Sequence, residues 1–294
     1  MRMEAKKAWE VKRNEKGQTL EEFLSEYDAD RYRHPSCTVD MAVMTVADKK
    51  LKLLLVQRRD HPFIGCWATP GGFVGFEEDV DDAALRELKE ETGLSEGIYF
   101  EQMYTFGKAD RDPRTRVITT AYLTLASADV IEQAQAGDDA ADAQWFDVTK
   151  EIEYEDDMQR VSILTLRNDA LNETIKYRIT KKVVGNWAKT TSEFIEAEST
   201  NMLAGDHIKI VNMAVEEVRH HAASTGIIFN LLPAEFTLNE LKKVYEIVTN
   251  TKVDKSNFRR NVQRLVKPTG NIKKCRGQET ALFKANPLYE SLDF

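Results

Sequence analysis

Residues 72–94 read GFVGFEEDVDDAALRELKEETGL, which places Gly72, Glu78, Arg86, Glu87, Glu90, Glu91 and Gly93 at the spacing G-x5-E-x7-R-E-U-x-E-E-x-G-U, with Leu88 and Leu94 at the aliphatic U positions. At ordinary residue frequencies, seven such fixed positions coincide by chance at about one start in 10⁸. The segment also has a direct physical reading. Its acidic run, Glu77 to Asp82, complements the positive end of a helix dipole and predicts a helix start near Val80. Ala83, Ala84, Leu85, Leu88 and Lys89 propagate the helix, and Gly93 stops it. At about 100° per residue, Glu87, Glu90 and Glu91 lie beside an apolar stripe of Ala84, Leu85 and Leu88, at the edge of the face expected to be buried.

Like charges three and four residues apart on a helix repel, and a hard divalent cation relieves that repulsion, since carboxylate oxygens are the ligands Mg²⁺ prefers. The spacing resembles the Nudix box. The resemblance implies an α/β protein with a Nudix-type α/β/α sandwich around a mixed sheet. It further implies metal-dependent cleavage of a nucleoside diphosphate linked to another group, with Mg²⁺, or Mn²⁺, held by Glu87, Glu90 and Glu91. In that pattern Arg86 pairs with Glu78 to fix the loop against the helix, so Glu78, Arg86, Glu87, Glu90 and Glu91 form the candidate catalytic set. The general base is either a box glutamate or an acid on a later loop, where Asp138, Asp139 and Asp142 are candidates.

A chain of 294 residues with 42% hydrophobic residues suffices for two packed domains. Cys37, Cys66 and Cys275 are far apart and odd in number, which indicates neither a disulfide framework nor a zinc site. The first residues lack an apolar leader and no run is long enough to span a membrane, so the expected compartment is cytoplasmic, with no membrane partner. The net charge of −8 is unevenly spread: between Lys242 and Arg276 eleven basic residues face only Glu246 and Asp254. An acidic body with a basic module for a polyanion is the expectation.

Hydrophobic periodicity organises the rest. An N-terminal arm (1–34) carries a short helix near Leu20 to Tyr27. The Nudix-like domain (35–150) contains strands at Thr38–Val46 and Leu51–Gln57, joined by a turn at Asp48-Lys49-Lys50, and others near Tyr99–Lys108, Val117–Ala126 and Gln144–Phe146. Residues 151–205 read as an insertion with a β-hairpin of Arg160–Arg167 and Thr174–Val184. A linker helix (206–226) runs from His207 to Ala223 with Asp206 as its N-cap and Ile208, Val211, Ala214, Val215 and Val218 on one face, either bridging domains or pairing with its copy in a homodimer.

In the last section (227–294), Thr237 and Glu240 form a capping box for a helix through Val248. Asp254 caps a second helix, KSNFRRNVQRLV, with Phe258, Val262 and Leu265 inward and Arg259, Arg260, Gln263 and Arg264 around the rest. After Pro268-Thr269-Gly270, Asn271 to Ala285 reads as a hairpin turning near Arg276-Gly277-Gln278. Helix, turn, basic helix and hairpin is the order of a winged helix-turn-helix. Residues from Leu231 to Gly270 are similar to the C-terminal domain of the Nudix-related transcriptional regulators of NAD metabolism. This implies binding of double-stranded DNA, with Lys255, Arg259, Arg260, Arg264, Lys273 and Lys274 as candidate contacts.

Substrate contacts must come from loops outside the box. Arg58 and Arg59 end a strand, and Trp67 precedes Pro70-Gly71-Gly72; Trp67 either stacks on a base or ribose or packs beneath the glycine loop. Asp110-Arg111-Asp112-Pro113-Arg114, with Arg116, resembles the corresponding segment of ADP-ribose pyrophosphatases and NAD-linked regulators. Arg114 or Arg116 could fork onto a diphosphate, against the alternative of a salt-bridged turn. The implied ligand is ADP-ribose, with Gly72 in its site. Thr69 stands where the pattern usually has Leu. Two readings remain: an ADP-ribose-type pyrophosphatase, and a DNA-binding repressor whose Nudix domain senses a nucleotide with little or no turnover.

Overall fold

The computed structural model describes residues 12–135, 143–185, 189–224, 226–275 and 278–287. Residues up to Pro35 form one compact unit and those from Ser36 a second. In the first, α1 (Leu20–Glu26) starts at a capping box in which the Glu22 amide donates to Thr19 and the Thr19 amide to the Glu22 carboxylate. All the side chains of α1 remain outside any core.

The second unit is built on one ten-stranded mixed sheet. β1 (Ser36–Ala47) and β2 (Lys50–Gln57) form a hairpin whose turn residues, Asp48 and Lys49, both have positive φ (52° and 63°), matching the right-handed twist of the strands. β3 (Trp67–Ala68) pairs with β2, and β4 (Gly71–Phe73) with β1. The helix α2 (Val80–Thr92) follows, then β5 (Ile98–Phe106), β6 (Val117–Ala126), α3 (Ala128–Gln135) and β7 (Ala143–Glu155). β8 (Gln159–Asn168), β9 (Glu173–Val184) and β10 (Lys189–Glu196) complete the order β10-β9-β8-β7-β2-β1-β6-β5, in which β1 and β6 run parallel.

Period-two alternation along β1 separates two cores. Val39, Met41 and Val43 face α2 and pack with Ala83, Ala84, Leu88 and Tyr122. Ala42 and Met44 face the opposite side and join Leu53, Leu55 and Leu125 under α4 (His207–Ser224). Helices on both faces of a mixed sheet make the expected α/β/α sandwich. Within α2, Ala84 and Leu88 are buried as expected, but Leu85 is exposed and Ala83 is buried, so the apolar stripe is rotated by roughly 50° away from Leu85. Gly93 ends the helix in the left-handed region (φ 70°), its amide donating to the Lys89 carbonyl.

The hairpin expected at 160–184 forms, but it is not set apart from the Nudix-like body. β7 crosses residue 150 without a break, and β8, β9 and β10 extend its sheet through antiparallel ladders. The cause is visible in the buried side of the hairpin: Leu164, Leu166, Ile175, Tyr177 and Ile179 continue the core under α4.

α4 is the hub of that second core. Ile208, Val211, Ala214, Val215 and Val218 are buried as expected, and so are Ile210, Asn212 and Ala222. A helix covered this widely has no apolar stripe left for pairing with its copy; among residues 207–222 only Glu216 and His220 are exposed. Its core is shared with α5 (Leu238–Thr249) and α6 (Lys255–Val262) through Leu241, Val244, Val248 and Phe258. Thr237 and Glu240 form the expected capping box of α5. Asp254 caps α6 by accepting from the Ser256 and Asn257 amides at 3.0 and 2.9 Å.

Two boundaries differ from the expectation in this module. α6 ends at Val262, so Gln263, Arg264 and Leu265 leave the helix and Leu265 is buried in the turn that follows. β11 (Val266–Cys275) begins before Pro268-Thr269-Gly270, which is a register shift within the strand and not the break before it. It pairs with β12 (Gln278–Ala285) to form the wing. Arg276 and Gly277, expected at its turn, lie outside the described residues.

Candidate functional site

The box builds its geometry around one guanidinium. Arg86 grips Glu78 with two parallel bonds, Nε to Oε1 at 2.8 Å and Nη2 to Oε2 at 2.9 Å, and donates to the Phe73 carbonyl at 3.1 Å. Its other nitrogen, Nη1, reaches Glu87 at 2.8 Å and Glu90 at 3.3 Å. The Arg86 pairing, with the Gly75 amide, holds Glu78 down to about 2. Glu78 and Arg86 are thereby braces of the loop.

Glu91 is the opposite case. Burial, then the nearby negative charges of Glu87, Asp40 and Glu90, push its carboxyl up to about 7, although it accepts the Gly71 amide at 2.9 Å. The donor chemistry of Glu87, Glu90 and Glu91 fits a hard divalent cation, because such an ion offsets the burial and the mutual repulsion that favour protonation of Glu91. Among the described residues, no three acids already converge as a ligand set, and Arg86 occupies Glu87 and Glu90 instead. Gly72 lies directly against this helix edge: a Cβ there would come within 2.0 Å of the Glu87 carboxylate.

Glu90 and Glu91 open into a cavity of about 570 Å³. Arg58, Arg59, Gly72 and Arg114, the expected substrate contacts, are among the residues that line it. Arg58 donates to the Pro62 carbonyl at 2.7 Å. Arg114 is paired with Asp112 at 2.8 Å, and its guanidinium lies 5.6 Å from the centre of the Phe73 ring, which also lines the cavity. Arg116 is not part of the wall; it donates to the Lys108 carbonyl at 3.0 Å. Trp67 is not either. It is 3% exposed and packs edge-on against Phe146 at 4.8 Å, the packing alternative of the two considered for it. Asp138, Asp139 and Asp142 lie outside the described residues.

The inner end of the cavity holds a polar cluster that sequence spacing does not reveal. Arg111, whose side chain is 6% exposed, pairs with Asp206 at 2.9 Å and approaches Asp40 at 3.7 Å. Asp40 accepts from the Thr119 hydroxyl at 2.6 Å. Asp206, expected as the cap of α4, thus directs its carboxylate to the loop between β5 and β6. The next residue, His207, meets the hydroxyl and amide of Thr69 at 2.8 and 3.2 Å through Nδ1. Backbone pairing positions these groups: the Trp67 amide donates to Met202 and the Ala204 amide to Trp67, which threads residues 202–204 along β3 and delivers α4 to the cavity.

The basic module presents Lys255, Arg259, Arg260, Arg264 and Lys274 as exposed residues. Both acids of the segment have structural partners. Glu246 accepts the Val253 amide at 3.0 Å and Lys242 at 2.8 Å, fixing the turn between α5 and α6, while Asp254 caps α6. Lys273 is tied to Glu240 of the capping box at 2.9 Å.

Comparison with known proteins agrees with both halves. The NUDIX domain family matches residues 38–164, and the NrtR DNA-binding winged helix domain family matches residues 228–285. The chain is 28% identical over 242 residues to an ADPR responsive transcriptional repressor, NtrR, of Acinetobacter baylyi, covering 82% of this chain and 77% of that one. It is 39% identical over 130 residues to an ADP-ribose pyrophosphatase of Methanocaldococcus jannaschii, covering 43% of this chain and 72% of the relative. The crystal structure of Shewanella oneidensis NrtR complexed with a 27mer DNA superposes with a TM-score of 0.63 at 27% identity, covering 87% of this chain and 99% of that one.

Proposed function

Because the chain belongs to the Nudix family, here joined to an NrtR-type winged helix, we propose that it is an ADP-ribose-responsive transcriptional repressor that binds DNA through α6 and the wing and ADP-ribose in the Nudix cavity. The observation that carries this reading is the combination on one continuous core: a cavity lined by Glu90, Glu91 and several arginines, and a helix-turn-helix whose basic side chains are exposed.

The cavity suits a sugar-linked diphosphate. Arg58, Arg59 and Arg114 offer planar donors to phosphate oxygens, and Phe73 beneath Arg114 offers a face for a base. Hydrolysis of ADP-ribose at the same site breaks one P–O bond of the diphosphate, adds water and yields AMP and ribose 5-phosphate. Glu87, Glu90 and Glu91 would hold Mg²⁺ or Mn²⁺, which would supply charge neutralisation for the diphosphate and acidify a water. Of the three carboxylates, Glu91 is the one oriented by a backbone amide, that of Gly71 at 2.9 Å. Arg86 fixes the helix edge from which all three carboxylates project.

DNA binding rests on exposed cations of α6 and the wing, a polyanion-binding pattern with no acid left unengaged among residues 242–275. The decisive experiment is a titration of genomic fragments with and without ADP-ribose, using Ca²⁺ in place of Mg²⁺ to suppress turnover. ADP-ribose should lower DNA affinity. Absence of DNA binding at low salt would refute the repressor reading, and a separate hydrolysis assay with Glu90→Gln and Glu91→Gln decides whether turnover belongs to the same site.

A further inference from the structure

The Nudix family match ends at residue 164, yet the inner wall of the cavity is completed by Ala204, Gly205, Asp206 and His207, where the chain enters α4. At this wall a cation and an anion are matched across two elements: Arg111 from the β5–β6 loop and Asp206 from the foot of α4, 2.9 Å apart and both largely buried. Asp40 stands a further contact away, 3.7 Å from the same guanidinium nitrogen. Arg111 lines the cavity together with Arg58 and Arg114, so an anionic ligand there finds a cation whose present partner is a carboxylate of α4.

The far end of α4 is tied to the DNA-binding module. Arg219, thirteen residues along and therefore about 20 Å away, donates through Nε to the Val248 carbonyl in the last turn of α5 at 3.1 Å. Through Nη1 it donates to the Lys150 carbonyl of β7 at 3.3 Å. α5 leads through the Glu246-braced turn into α6. One helix thus has its first residues in the cavity wall and its last turns on the helix-turn-helix.

Resting on the repressor reading above, we propose that Arg111 is a ligand-binding residue for the diphosphate, that Asp206 is its positioning residue, and that exchange of Asp206 for the diphosphate as the partner of Arg111 transmits occupancy through α4 to the DNA-binding module. In the DNA-competent form Arg111 neutralises the buried Asp206 carboxylate, so the foot of α4 carries no unpaired charge. When the diphosphate takes Arg111, the buried Asp206 carboxylate loses its closest cation, and the foot of α4 must move to resolvate it or find another donor. His207, bonded to Thr69 beside the glycine loop, moves with it. The ligand acts only because it binds one arrangement better than the other.

The test is DNA binding by anisotropy on the tightest genomic fragment found for the wild-type protein, with and without ADP-ribose in Ca²⁺, and ADP-ribose affinity measured separately by calorimetry. Wild type should lose about tenfold or more in DNA affinity on adding ADP-ribose. Asp206→Asn should bind DNA without ligand within about twofold of wild type and bind ADP-ribose as tightly or more tightly, since Arg111 is released; its DNA affinity should then shift by less than about twofold with ligand. The double variant Arg111→Gln/Asp206→Asn removes both buried charges, protecting the fold; it should keep DNA binding, weaken ADP-ribose binding and also lose the response. A full response in Asp206→Asn overturns the proposal, as does loss of ligand-free DNA binding in both variants, which would make the pair merely structural. Failure of the wild-type protein itself to bind DNA or ADP-ribose would instead strike the repressor reading.

Discussion

Glu91 is the box carboxylate whose charge is costliest to keep, and that makes its titration measurable. Its folded value, about 7, lies above its ordinary value of 4.5. A carboxyl raised on folding stabilises the fold at low pH, and this contribution is lost as pH rises through the folded value. In EDTA, melting temperature should therefore fall between about pH 4.5 and pH 7, and Glu91→Gln should flatten that component. Divalent-ion affinity should rise through the same window in wild type, because proton and cation compete for one oxygen pair. A metal-free protein whose pH–stability curve is unchanged by Glu91→Gln would contradict this assignment. Gly72 provides a second residue-level test. A methyl group there meets the end of the flexible Glu87 side chain, which can swing away, so Gly72→Ala should fold normally yet lose about 100-fold or more in hydrolysis rate through a displaced carboxylate. Thermal melts and initial rates separate the two effects.

At the scale of elements, α6 and the wing make the quantitative prediction. Arg260 and Arg264 are both exposed, but one lies on α6 and the other in the turn after it. Replacing both by Ala should weaken binding to all DNA fragments and reduce the slope of log affinity against log salt by about 2, roughly one per phosphate contact. A salt series by anisotropy measures that slope; an unchanged slope would remove these two side chains from the interface. The elements themselves were well marked in the sequence wherever the cue was local. The acidic start and Gly93 stop of α2, the capping box of α5 and the Asp254 cap of α6 each depend on residues within a turn or two of one another. The cavity's inner wall was not marked, since Arg111 and Asp206 are 95 positions apart and Thr69 and His207 are 138 apart. Thr69, the one departure from the usual Leu, was a hint without an address. Trp67 was ambiguous for a different reason: an aromatic residue before a glycine loop suits a base and a core equally well, and only the position of Phe146 decides it.

For the molecule from Ser36 onward, the shared core under α4 predicts a single cooperative unfolding transition. Calorimetry should show one peak, with nucleotide binding and DNA binding lost together; two resolved peaks would mean that the core does not couple the halves. Ile210, fully buried between Phe106 and Ala121, is a sensitive probe, and Ile210→Ala should cost about 2–5 kcal/mol.

The burial of α4 on nearly every side also sorts the outcomes of a genetic selection. Alleles altering the middle of this helix should abolish repression by depleting the protein, and temperature-sensitive phenotypes should cluster there. Super-repressor alleles, which hold the operator regardless of metabolite, require an intact core and a severed message. They should fall at the inner wall of the cavity, on Arg111, Asp206 and their neighbours, and be absent from the buried middle of the helix that joins them to the DNA-binding module.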